Sequence, residues 1–261
     1  MGQIKAIQTE YNGYIFRSRL EARWAVFFDA IGVEYEYEPE GFELPSGKRY
    51  LPDFRVRCNG VRGFCSSYDA GDLCGCCRHN GGYLDSYAYQ GDCMHALNAV
   101  GNADNDGLCC SCDNFKDNSF DLYIEVKGSM TQKDADRIIE FAGVSRIDYS
   151  YGTDNDRVHP TLVVGNVPRD FYDMCNQADE PMNGVNIYPY NYETIDGDYF
   201  GAYPTAFRGR FYLMGADSNY TDSIGIKSLN AALKIARQAR FEHGETPARQ
   251  EVRRRFAAEM R

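Results

Sequence analysis

Nine of the ten cysteines fall between residues 58 and 112, and only Cys175 lies elsewhere. This crowding constrains the chain more than any other feature. Residues 58–118 hold nine glycines, no proline, no glutamate and little apolar periodicity, so the stretch has little core of its own to bury. It is expected to be an irregular insertion held by its cysteines. A core must then be assembled from the sequence on either side, 1–57 and 119–243, with the basic segment 244–261 expected to be a mobile tail.

The cysteine spacing points to metal. Cys74 and Cys77 form one C-x2-C pair, Cys109 and Cys112 a second, with 31 residues (78–108) between them. A two-residue gap lets two thiolates grip one tetrahedral zinc ion. Cys58, Cys65, Cys76, Cys93, Cys110, His79 and His95 are further candidate ligands, enough for one or two structural zinc ions, and the partition among them stays open. The opening residues, MGQIKAIQTEY, lack the apolar stretch of a secretory signal. A reducing, cytoplasmic compartment is therefore expected, where metal binding is favoured over disulfides. No apolar run approaches the roughly 18 residues of a membrane span, so no membrane partner is expected.

Outside the insertion the apolar residues are periodic. In 18–31, Leu20, Trp24, Phe27, Phe28 and Ile31 recur at helical spacing; Ser18 with Glu21 fits a capping box, and Gly32 ends the helix. Residues 33–38 alternate as a strand. Residues 41–44 and 49–57 flank a Pro-Ser-Gly-Lys turn, which predicts a hairpin whose second arm sets Phe54 and Val56 against Asp53, Arg55 and Arg57. In 120–127, Phe120, Leu122, Ile124 and Val126 face one way and Asp121, Tyr123, Glu125 and Lys127 the other. A helix capped by Thr131 and Asp134 is expected at about 131–142, a buried strand at 161–165, strand-like pieces near 186–190 and 206–213, and a basic helix at 228–242.

The chemistry concentrates on two of these strands. Residues two apart on a strand share a face, so Glu125 and Lys127 project together, and Asp53 joins them if the hairpin arm pairs alongside. Two acids and a lysine on one face suit a hard divalent cation: carboxylates, with a backbone carbonyl such as that of Val126, supply part of an oxygen shell. The bland alternative is a solvated strand face, where Asp, Glu and Lys are common.

Residues 14–56 and 120–128 (FDLYIEVKG) resemble the phage and bacterial branch of the PD-(D/E)xK nuclease superfamily, as do the helix after 131, TLVVG and ALKIARQARFEHG (232–244). The resemblance implies an α/β, restriction-endonuclease-like core, a mixed sheet flanked by helices, here carrying a zinc-stapled irregular insertion. It implies hydrolysis of phosphodiester bonds in DNA with magnesium or manganese, in a bacterial host cell. Carried over by position, Asp53 and Glu125 would be metal ligands, Lys127 the catalytic lysine, and Glu21 the helix glutamate that completes many such sites. For Glu21 two roles stand side by side, that one and the cap with Ser18.

The charge balance weighs against indiscriminate nucleic-acid binding. The chain carries 28 basic and 38 acidic residues, a net charge of −10, so any contact with DNA must use local positive patches or bound metal. Arg17, Arg19 and Arg23 are candidates for phosphate contact, with plain surface solvation the simpler account of each. Two other functions follow from the same residues: a catalytically inactive nuclease fold that binds nucleic acid or a protein through the zinc insertion, and an acidic decoy using the surface of 148–222.

Overall fold

The computed structural model of the chain describes residues 6–62, 120–143, 159–178, 181–185, 187–188, 190–193, 199–207, 210–215, 224–242 and 245–261. The zinc candidates Cys65, Cys74, Cys76, Cys77, Cys93, Cys109, Cys110 and Cys112, with His79 and His95, lie outside the described residues.

The first elements are an antiparallel ribbon, β1 (Thr9–Tyr11) with β2 (Tyr14–Phe16), and helix α1 (Arg19–Ile31). Both ends of α1 follow from sequence. The Ser18 side chain accepts the Glu21 N–H, and Gly32 closes the helix at φ 75°, a left-handed conformation that costs glycine little. Trp24, Phe27 and Phe28 are fully buried, each contributing about 1.5–3 kcal/mol on removal from water. The Trp24 indole donates to the Gly165 carbonyl at 2.9 Å, which ties the helix to a distant strand end.

Strands β3 (Tyr35–Tyr37), β6 (Phe54–Arg62), β7 (Phe120–Val126), β8 (Thr161–Val164), β9 (Tyr190–Glu193), β10 (Tyr199–Phe207) and β11 (Arg210–Gly215) form one mixed sheet in the order β8-β7-β6-β11-β10-β9. β6 is its centre. It runs antiparallel to β7 along one edge; on the other it pairs antiparallel with β3 at its start and parallel with β11 further on. β7 and β8 are parallel. Phe54 faces Phe28 of α1, with ring centroids 5.4 Å apart. Tyr123 points to the opposite face, toward Phe141 of α2 (Gln132–Ala142), at 5.2 Å. The sheet is thus flanked by helices on both faces, an α/β architecture. α2 starts in a capping box between Thr131 and Asp134, as its sequence predicts. None of the described helices is long and apolar enough to cross a membrane.

Several boundaries differ from expectation. The hairpin arm 49–57 is two strands: β5 (Arg49–Tyr50) pairs with β4 (Phe42–Glu43), the chain bends at 51–53, and β6 then enters the main sheet. Pro52 cannot donate a ladder hydrogen bond, which suits it to this break. β6 continues to Arg62, five residues into the expected insertion, and Cys58 is buried on the Phe54–Val56 face, a core position paired across to Phe120 and Phe211. The piece expected at 206–213 takes in the end of β10 and the start of β11, which pair antiparallel. The helix expected at 228–242 is α4 (Ile224–Gln238), and α3 (Phe171–Ala178) was not anticipated.

The segment after 244, expected to be mobile, forms α5 (Arg249–Glu259) and docks against α1. Two contacts explain the docking. Val252 is buried, and Arg249 reaches the fully buried Asp29 of α1, whose other oxygen accepts from the Tyr11 hydroxyl at 2.9 Å. A buried carboxylate requires such partners, and composition alone does not reveal where they come from.

Candidate active site

The site forms where β6 begins and β7 ends. Phe54 pairs with Ile124, and one more step in the same register sets Asp53 against Glu125. Alternation then aims Asp53, Glu125 and Lys127 to the α2 side of the sheet. Asp53 is fastened to both neighbouring strands: its carbonyl accepts the Glu38 N–H at 2.9 Å, and its Oδ2 accepts the Val126 N–H at 2.8 Å. It is therefore the N–H of Val126, on the expected carbonyl-donating residue, that the structure places against Asp53.

The three expected side chains converge. Lys127 Nζ lies 2.8 Å from Glu125 Oε2 and 3.6 Å from Asp53 Oδ2. The face is not solvated: Asp53 is 3% exposed and Glu125 1%, because α2 and the β4–β5 hairpin cover it. These residues line a cavity of about 300 Å³ together with Arg17, Arg49, Tyr50, Leu51, Asp134, Arg137 and Ile138. A larger cavity, about 440 Å³, runs along β3. Its Arg55 and Arg57 are engaged with Glu36 and Asp121, and nothing comparable to the buried carboxylate pair lies within it.

Burial acts strongly on ionisation here. It pushes the Glu125 carboxyl up to about 7, Asp53 adds to the rise, and Lys127 opposes it. For Lys127, burial alone would favour the neutral amine, yet Glu125 and Asp53 outweigh burial and hold its pKa above the ordinary lysine range. Lys127 is thus a persistent cation. The Tyr50 phenol is also raised, first by burial and then by Glu125. Tyr50 is near enough to influence Glu125, but the Tyr50 hydroxyl and Glu125 Oε1 are both buried without a partner that meets hydrogen-bond geometry.

Glu21 does not join this cavity. Its Oε1 accepts from the Ser18 hydroxyl at 2.7 Å, and its Oε2 accepts from the Tyr37 hydroxyl at 2.6 Å and the Arg17 N–H at 3.0 Å. Its capacity is spent on the α1 N-terminus and on holding Arg17. Arg17 is the residue that enters: its guanidinium meets Asp53 Oδ1 at 2.9 Å and Glu38 at 2.6 Å. Arg19 and Arg23 turn elsewhere and share Glu242, each at 3.2 Å. Sequence reasoning missed Tyr50, Arg49 and Arg137, which arrive on the hairpin and on α2. The sequence signals for their elements were the Pro-Ser-Gly-Lys turn of the hairpin and the cap that starts α2.

Two carboxylates with hard oxygens, one with a buried and unpartnered Oε1, fit a small divalent cation that retains several waters. Among the described residues, no three His, Cys, Asp or Glu side chains cluster as a fuller metal shell. No family model, curated protein or solved structure matches this chain.

Proposed function

We propose that this protein is a divalent-metal-dependent endonuclease that hydrolyses phosphodiester bonds in DNA, on a restriction-endonuclease-like core. One observation carries the proposal: Asp53 and Glu125, 72 positions apart in the sequence, meet in one buried pocket with Lys127 between them. A solvated strand face has no reason to bury two like charges beside a lysine, since each buried charge costs several kcal/mol before compensation, on the order given by desolvation.

Asp53 and Glu125 would hold magnesium or manganese through their carboxylate oxygens. Bound there, the ion would supply charge stabilisation on the phosphate and an activated water. Lys127, held protonated, donates to phosphate oxygen and offsets charge as it develops. Arg17 braces Asp53 at a fixed orientation, and Glu21 and Tyr37 brace Arg17. Tyr50 brings its phenol near enough to influence Glu125, whose Oε1 lacks a partner. The cysteine insertion would bind one or two structural zinc ions and serve shape or recognition.

The test is a cleavage panel with magnesium and with manganese over duplex, single-stranded and branched DNA and RNA. Cleavage is expected with metal and lost in Asp53→Ala, Glu125→Ala and Lys127→Ala proteins that remain folded. Activity retained in all three folded variants overturns the assignment. A second function, a nuclease fold that binds without cutting, is favoured by the neutralisation of both carboxylates by Lys127 and Arg17. Its mark is DNA binding with no turnover under any metal.

A further inference from the structure

The cavity holds more positive charge than its carboxylates use. Arg17 and Lys127 are committed to Asp53 and Glu125, and Asp134 is committed to the α2 cap, where its Oδ2 accepts from the Thr131 N–H and hydroxyl. Arg49 and Arg137 remain. Among the described residues neither makes an ion pair, and the Arg137 Nε is buried with no hydrogen-bond partner. A buried guanidinium N–H without an acceptor is costly, which makes an acceptor supplied from outside the chain the natural complement.

The two arginines come from one rigid unit. Tyr50, next to Arg49, packs on Phe141 with ring centroids 4.5 Å apart, and Phe42 packs on Phe141 at 5.0 Å. The tip of the hairpin is pinned to the same helix: the Ser46 hydroxyl donates to Glu140 at 2.9 Å. Arg137 lies one turn before Phe141, so it shares the helix face that meets the hairpin. The hairpin and α2 thus bring Arg49, at its exposed rim, and the half-buried Arg137 into the lining of the same pocket as Asp53, Glu125 and Lys127.

We propose that Arg49 and Arg137 form a phosphate clamp that grips the DNA backbone beside the bond being cut, independently of metal. A guanidinium matches a phosphate through paired N–H donors, and an acidic chain needs such a local cationic patch to hold a polyanion at all. The clamp rests on the nuclease proposal for the identity of its ligand. Its role is binding: it raises affinity for substrate, while Asp53, Glu125 and Lys127 carry the chemistry.

The experiment uses the full chain in buffer without added magnesium or manganese, with a fluorescein-labelled DNA duplex bearing single-stranded ends, titrated across a salt series. Arg49→Ala and Arg137→Ala are each expected to weaken binding about tenfold and to flatten the slope of log K against log salt by about 0.7–0.9. Arg137→Lys keeps the charge and the aliphatic packing, and is expected to keep the slope while losing part of the affinity; it also guards against an Arg137→Ala protein that fails to fold. Unchanged affinity and slope in folded Arg49→Ala and Arg137→Lys proteins overturns the clamp. Inorganic pyrophosphate is the control: arginine-dependent binding of pyrophosphate without DNA binding replaces a nucleic-acid site with one for a free phosphate anion, and also overturns it. If DNA binds through both arginines yet nothing is ever cut, the clamp stands and the nuclease proposal falls. If metal-dependent cleavage keeps its KM in both alanine variants, the reverse holds.

Discussion

The Lys127 ammonium lies 2.8 Å from Glu125 Oε2, two residues along the same strand face, and Glu125 is almost wholly removed from solvent. The lysine is the chain's own counter-charge there, opposing without cancelling the rise that burial and Asp53 impose on the Glu125 carboxyl. Lys127→Ala is expected to destabilise the metal-free fold by about 3 kcal/mol, because it leaves a buried acid uncompensated. Adding Glu125→Gln to Lys127→Ala should recover much of that loss. Urea denaturation of the two single variants and the double variant measures the coupling.

Metal binding should be visible without any substrate. Manganese or magnesium at about 100 times its dissociation constant is expected to stabilise the fold by about 2.7 kcal/mol, read as a rise in melting temperature. Asp53→Asn should remove the rise. Because Glu125 is pushed up to about 7, by burial first and Asp53 second, the ion must displace a proton below that pH. Affinity should therefore increase as pH rises through about 7 and level off above it, measured by titration calorimetry.

His159 gives a second pH dependence, away from the site. Its ring stacks on Phe141 at 4.5 Å and 11°, and burial lowers its pKa. The unfolded chain then takes up the proton first, so stability is complete above the unfolded value of 6.5 and declines as pH falls through the lower folded value. His159→Phe should remove this part of the acid sensitivity. Thermal melts of both proteins across the range decide the matter.

Arg249 couples the last helix to the body of the protein. Its guanidinium is 2.5 Å from Asp29, which has no exposure. Arg249→Ala should cost about 3 kcal/mol and release α5, since Asp29 keeps the Tyr11 hydroxyl and only the more distant charge of Arg253. Hydrogen exchange over 249–259 reads the release directly, and protection equal to that of the parent protein would falsify the coupling.

Elemental analysis tests the cysteine insertion independently of all the rest. One or two zinc ions per chain are expected, with loss of the metal on replacing Cys74 and Cys109 by serine. Zinc-free protein with all thiols reduced would remove the staple.

The local elements were largely legible in the sequence, because local rules make them. Ser18 and Gly32 bound α1, Thr131 and Asp134 start α2, and strict alternation over 120–127 decides which side chains share a face. Alternation also places Glu125 with Lys127, since Lys127 continues the extended chain just past the end of β7. It could not say that this face would be covered; the β4–β5 hairpin and α2 do that, and their burial turns an ordinary polar stripe into a pocket where Glu125 resists ionisation. Nor could it bring in Arg17, the neighbours Arg49 and Tyr50, and Arg137, from three different parts of the chain, or commit Glu21 to bracing Arg17 instead of lining the cavity. The same holds for α5, which is a polar, basic segment by composition and owes its place to Val252 and to Asp29 on another helix. Periodicity and caps are properties of neighbours in sequence, so the chain by itself determined its elements and the facing of Glu125 and Lys127. Which charges meet, and how dry their surroundings are, depends on long-range packing, and only the tertiary structure decided it.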